Sequence, residues 1–135
     1  MNKNCCFGYI RNGAMILSEY GKIALEQIKW LMIQYSFVNI DKYVIMPNHV
    51  HAIIEIVPKN SNIAPLSLSQ IVGAYKTRVS ASIRKQGLLS FSWQRSFHDH
   101  IILDLQSYEN ISAYIESNPL NWIKDRFHVV NMQHP

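Results

Sequence analysis

Apolar residues recur along this chain with two different periods, and the switches between them mark out the elements. Cys5 to Ile10 and Ala14 to Leu17 are short apolar runs on either side of Arg11-Asn12-Gly13, and an Asn-Gly pair in that setting predicts a β-hairpin. Ser18 can cap a helix in which Ile23, Leu25, Ile28, Leu31, Met32 and Tyr35 recur at roughly helical spacing, ending near Ser36. Phe37 to Met46, rich in Val, Ile and Tyr, reads as a strand. Pro47-Asn48 interrupts it, and His49 to Val57 follows as a second strand antiparallel to the first.

Pro58 through Pro65 is a polar, turn-forming loop. Ser67 or Ser69 then caps a helix to about Gln86, ended by Gly87, with Ile71, Val72, Tyr75, Val79 and Ile83 as its apolar stripe. Residues 91–103 hold a loop and a further strand, and Ser107 starts a third helix that Pro119 stops. No repeat or low-complexity segment breaks the pattern, and 135 residues suit one domain, spanning 1–135. The order hairpin, helix, strand, strand, helix, strand, helix predicts an α+β sandwich with its helices on one face of an antiparallel sheet.

Composition narrows the class. Hydrophobic residues at 48% and charged residues at 16% are those of a globule rather than a disordered chain. A net charge of +4 and a pI of about 9.1 favour a polyanionic partner such as nucleic acid. Cys5 and Cys6 are adjacent, so they cannot staple distant segments, and no Cys-x-x-Cys offers a zinc site. That cysteine usage fits a reducing, cytoplasmic setting. The apolar runs fall short of the roughly 20 residues that span a bilayer, and the N-terminus lacks an apolar signal core, so the expectation is a soluble, non-secreted protein without a membrane partner.

Two segments could carry chemistry. On a strand, His49 and His51 lie on one face about 7 Å apart with Val50 turned into the core, and two such imidazoles can grip a metal ion. The same spacing suits two core histidines satisfied by their neighbours, and a third ligand must come from elsewhere. Tyr114 and Asn118 are one helical turn apart, so they share a helix face. Mg²⁺ and Mn²⁺ accept hard oxygen and imidazole ligands, so His49, His51 and Asn118 could hold one ion, with Tyr114 facing its substrate. The alternative makes Tyr114 an interfacial aromatic and Asn118 a helix C-cap.

Taken together, Glu19-Tyr20-Gly21-Lys22-Ile23, Tyr43-Val44-Ile45-Met46-Pro47-Asn48-His49-Val50-His51, the stretch from Trp93-Gln94-Arg95 to His100-Ile101-Ile102, and Tyr114-Ile115-Glu116-Ser117-Asn118-Pro119 cover most of the chain. In that order they resemble the single-tyrosine HUH transposases of small bacterial insertion sequences and the related REP-associated tyrosine transposases. The resemblance implies a ferredoxin-like (RRM-like) sandwich in which His49, His51 and Asn118 ligate Mg²⁺ or Mn²⁺. It makes Tyr114 the nucleophile that cuts single-stranded DNA, leaving a 5′-phosphotyrosine and a free 3′-OH. It further implies a hairpin-bearing DNA substrate and a homodimer in which one subunit's tyrosine helix completes the other's metal site. The alternative function is a transposase-derived protein that holds hairpin nucleic acid without cutting it.

Other residues take lesser parts. Tyr108 is a rival nucleophile that shares no turn with Asn118. Glu55 could assist the histidines, Glu116 lies off the active face, and His98 and His100 belong to a structural strand. Lys76, Arg78, Arg84, Lys85 and Arg95 would contact DNA phosphates, with Trp93 and Phe97 stacking on bases or joining the core. Two features depart from the family pattern. Relatives carry an apolar strand before Cys6-Phe7-Gly8-Tyr9-Ile10, central to a ferredoxin-like sheet, whose place residues 5–10 or a partner chain would have to take. Leu103 stands where relatives often have Arg.

Overall fold

One buried residue, Phe7, ties together the hairpin, the first helix and the turn into the histidine strand. In the computed structural model, which describes residues 6–57, 66–93, 105–121 and 132–133, the elements are β1 (Gly8–Arg11), β2 (Ala14–Leu17), α1 (Glu19–Gln34), β3 (Val38–Ile45), β4 (His49–Ile56), α2 (Leu68–Lys85), α3 (Leu105–Asn121) and β5 (Met132–Gln133). Asn12 and Gly13 take positive φ, 53° and 76°, closing the predicted two-residue turn and setting Arg11 opposite Ala14. Ser18 caps α1: its Oγ accepts from the Gly21 N–H at 3.1 Å and donates to the Cys6 carbonyl at 2.6 Å. Its own N–H donates to the Phe7 carbonyl at 2.9 Å, and the Phe7 N–H donates to the Pro47 carbonyl at 3.0 Å. The Phe7 ring is fully buried against Phe91 and Trp93.

Of the two caps the sequence offers, α2 uses Ser67, in a capping box completed by Gln70, and Gly87 follows its end with a φ of +119°. Its buried Tyr75 donates a hydrogen bond to the Ala24 carbonyl of α1 at 2.8 Å. Ile28 and Leu31 of α1 and Val72 and Tyr75 of α2 close on Ile40, Ala52 and Ile54 of the sheet around a small apolar void, and the core lies there.

β3 and β4 pair antiparallel as the sequence predicts, and β5 joins the far side of β4 at His49 and Val50. β1 and β2 form a separate two-stranded sheet. Residues 8–11 therefore pair with β2 and not with the three-stranded sheet, so the first of the two expected substitutes for a central strand, residues 5–10, does not take that place among the described residues. The third strand predicted within 91–103 falls largely outside the described residues. β5 has no sequence signal, because two residues carry no periodicity.

The regularity predicted for β3 breaks at one point. Ile40 pairs with Ile54 but Lys42 pairs with Ile53, so Asp41 is an extra residue, a β-bulge. Successive strand residues face opposite sides, so one insertion changes the parity of all that follows. Ile40 before the bulge and Ile45 after it both reach the core, while Asp41 and Lys42 both turn to the opposite side.

α3 lies on that opposite side. Tyr108 donates to Asp41 Oδ2 at 2.8 Å, and Lys42 Nζ lies 2.6 Å from Glu116 Oε1. The expectation of helices on one face is thus corrected: α1 and α2 cover one face of the sheet and α3 covers the other. The alternation of β4 requires both layers, since Val50 on one side and His49 and His51 on the other are almost wholly buried. An apolar stripe identifies which side of a helix packs, but not which face of a sheet receives it. α3 also begins before Ser107 and continues past Pro119 to Asn121, so Pro119 does not stop it. At that place the proline removes the backbone donor to the carbonyl one turn earlier, and the helix runs two residues further.

Two helical glycines give opposite predictions. A Cβ on Gly21 would stand 2.1 Å from the Phe7 carbonyl oxygen, whereas one on Gly73 would meet nothing within 4 Å. Gly21→Ala should destabilise the fold by about 1–3 kcal/mol through this clash. Gly73→Ala should stabilise it by about 0.5–1 kcal/mol, since alanine costs less backbone entropy in a helix. Urea midpoints of the two variants should move in opposite directions from wild type.

Candidate functional site

The turn Met46-Pro47-Asn48 delivers His49 to the sheet in a fixed pose. The Met46 N–H donates to the His49 carbonyl at 2.8 Å, and Pro47 beneath it is fully buried. Asn48 Oδ1 lies 2.7 Å from His49 Nδ1. An amide oxygen accepts, so the contact fits Nδ1 as the donor and would leave ligation of a metal to Nε2. The rings of His49 and His51 stand edge to face with centroids 4.5 Å apart. That is well inside the roughly 7 Å separating alternate positions on a strand, so the two rings converge.

α3 brings Tyr114 to the pair. Its ring meets that of His51 at 84° with centroids 5.8 Å apart. The Tyr114 hydroxyl is buried and, among the described residues, makes no hydrogen bond. Buried phenols ordinarily find a partner, so this group is placed for one that the described residues do not supply. Asn118 follows Tyr114 by one turn of α3, but its side chain lies outside the described residues. Among the described residues, no three His, Cys, Asp or Glu side chains gather into a metal-binding group.

Tyr108 is otherwise occupied. The hydrogen bond to Asp41 is the largest cause raising its pKa above the usual phenol value, with desolvation second, and a phenol so held is the poorer nucleophile near neutrality. Glu116 points to Lys42, whose pKa is raised chiefly by that hydrogen bond. Glu55 shares the histidine face by strand alternation and is exposed. Arg95, Phe97, His98, His100 and Leu103 lie outside the described residues.

The basic residues of α2 do not form one stripe. At about 100° per residue, Arg78 and Lys85 fall on one flank while Lys76 and Arg84 lie on the other side. The Arg78 guanidinium stacks 4.0 Å from the Trp30 ring centroid and its Nε donates to Gln27 Oε1 at 2.8 Å. Arg84 Nε donates to the Phe91 carbonyl at 3.0 Å. The Lys76 ammonium lies over Trp93, and burial lowers its pKa. Trp93 itself packs against Phe7, Tyr75 and Phe91 and donates its Nε1–H to the Lys76 carbonyl at 3.1 Å. Arg78, Arg84 and Lys85 remain exposed, so phosphates can reach them.

Three contributors escaped the sequence reading: Asn48, which orients His49, and Asp41 and Lys42, which hold α3. Asn48 could have been suspected from its place directly before His49. The other two depend on the bulge, which leaves no mark in the sequence pattern.

The raised pKa of Tyr108 has a sign that can be checked. Its bond to Asp41 favours the protonated phenol, so the stabilisation is present below the unfolded phenol pKa of about 10 and is lost as pH rises through the higher folded value. Asp41→Ala should bring the Tyr108 pKa down toward the ordinary phenol value, read by NMR titration of ring-labelled tyrosine.

No described helix is long and apolar enough to cross a membrane. An uncharacterized protein of Haemophilus influenzae is 36% identical over 144 residues, covering 95% of this chain and 80% of that protein. No solved structure matches the chain. Residues 11–118 match the family described as transposase IS200-like, a span that takes in His49, His51 and Tyr114 and closes on Asn118. The chain therefore belongs to the transposase IS200-like family.

Proposed function

We propose that this protein cleaves and rejoins single-stranded DNA through a 5′-phosphotyrosine on Tyr114. The observation that carries the reading is the buried Tyr114 hydroxyl, unbonded among the described residues, on a helix packed against a converging histidine pair. Family membership supplies the reaction class.

The donor set suits a hard divalent ion. His49 and His51, with Asn118 one turn beyond Tyr114, would hold Mg²⁺ or Mn²⁺. When bound, such an ion draws charge from the phosphate oxygens and eases attack on phosphorus. The Tyr114 phenol gives up its proton to solvent as its oxygen bonds to the scissile phosphorus. The bond from phosphorus to the 3′-oxygen breaks, and that oxygen takes a proton from solvent to become a free 3′-OH. The phosphotyrosine keeps the energy of the broken ester, so attack by another 3′-OH restores the phenol and joins strands without ATP. Packing against His51 holds the Tyr114 ring in one orientation before DNA arrives, which lowers the entropic part of the barrier.

DNA would be held by phosphate contacts from Lys76, Arg78, Arg84, Lys85 and Arg95, on a substrate with local hairpin structure. The contact of Tyr114 with His51 lies within one chain, so in a homodimer each subunit could carry its own histidines and tyrosine.

Labelled single-stranded oligonucleotides drawn from the DNA flanking the reading frame, incubated with protein and Mn²⁺, should yield a denaturation-resistant adduct. Tyr114→Phe should abolish the adduct while Tyr108→Phe still forms it. An adduct persisting in Tyr114→Phe would overturn the assignment, and salt-sensitive binding without any wild-type adduct would favour the non-cleaving alternative. Asn48→Ala should also weaken Mn²⁺ binding about 10-fold, measured by calorimetry, because the His49 ring loses its orienting acceptor.

A further inference from the structure

We infer that Asp41 and Lys42, at the β3 bulge, are positioning residues: through Tyr108 and Glu116 they set the register of α3 and so the place of Tyr114 against His51. The inference rests on the reading of Tyr114 as nucleophile. Tyr108 and Glu116 flank Tyr114 in sequence and stand about 12 Å apart along the helix axis at 1.5 Å per residue. A single anchor would leave the helix free to pivot. Two anchors that far apart fix its translation along the axis, its rotation about the axis and its tilt across the strand.

Apolar packing does not do this by itself. α3 buries Ile115 and Ser112 on the sheet side, and hydrophobic contact is non-directional. A slide by one residue would shift Tyr114 by about 1.5 Å and turn it by about 100°, carrying the ring away from His51. Such a slide would also bring Tyr108 and Glu116 away from Asp41 and Lys42, leaving an acid and a base of opposite preference without their partners.

The strand geometry explains why the anchors are adjacent residues. In a regular strand Asp41 and Lys42 would face opposite sides, and one of them would be driven into the core beside Ile40. The bulge turns both toward α3. The Lys42 and Glu116 side chains are 34% and 60% exposed, and an ion pair so exposed adds little to global stability. Its contribution is selection among helix registers.

The test separates register from chemistry. Lys42→Glu, Glu116→Lys, the double swap and the pair Asp41→Ala and Asp41→Asn are compared by hydrogen exchange across residues 108–116 and by single-turnover adduct formation on the same flanking oligonucleotides with Mn²⁺. Lys42→Glu and Asp41→Ala should reduce exchange protection in α3 and slow adduct formation at saturating DNA by about 10- to 100-fold with DNA affinity unchanged. The double swap and Asp41→Asn, which keeps an acceptor for Tyr108, should recover both. Unaltered α3 protection in Lys42→Glu and Asp41→Ala would overturn the inference. So would reduced protection with an unchanged cleavage rate, or a slow rate that the swap fails to restore. If wild type forms no adduct while protection is lost and then restored by the swap, the register lock stands and the cleavage reading falls.

Discussion

The candidate site exists because α3 is held across the β3 bulge. His49 and His51 are alternate residues of one strand and share a face wherever that strand forms, but Tyr114 comes from a helix more than sixty residues away in sequence. Among the described residues, two polar side-chain contacts join that helix to the sheet: Tyr108 to Asp41 and Glu116 to Lys42. Both depend on a single inserted residue that turns neighbouring side chains the same way.

On the opposite face the constraint is packing rather than polarity. Phe7 fills the space between α1, the Phe91 and Trp93 rings and the turn at Pro47, and its backbone joins the α1 cap to that turn. The Met46-Pro47-Asn48 turn is therefore held from below by the core while Asn48 orients His49 from above. The histidines sit at 0% and 2% exposure, and the Asn48 contact at Nδ1 holds the His49 ring in one orientation. Layers on both faces thus contribute to one small cluster of rings.

Much of this was legible from the sequence. Periodicity and punctuation located β2, α1, β3, β4 and α2 to within a residue or two, because Asn12-Gly13, Ser18, Pro47, Ser67 and Gly87 each impose a local backbone geometry, while β1 starts three residues later than its apolar run. The motif order pointed to the family that the comparison supports. What escaped was non-local. The bulge at Asp41 is decided by pairing with β4, the side of the sheet chosen by α3 is decided by which face lacks a layer, and the separation of β1 and β2 from the other strands is a matter of pairing that the local pattern does not carry. For Trp93 the sequence leaves both base stacking and the core open, and the packing of its ring among Phe7, Tyr75 and Phe91 decides for the core.

The central claim is that one chain, unaided, brings Tyr114 to the histidine pair. The most direct measurement is the nuclear Overhauser effect between the ring protons of His51 and Tyr114, recorded on isotopically labelled protein diluted into unlabelled protein so that contacts between chains are suppressed. The account predicts a strong ring-to-ring cross-peak that survives dilution, as centroids 5.8 Å apart require. A cross-peak that vanishes on dilution, or none at all in the folded protein, would contradict it.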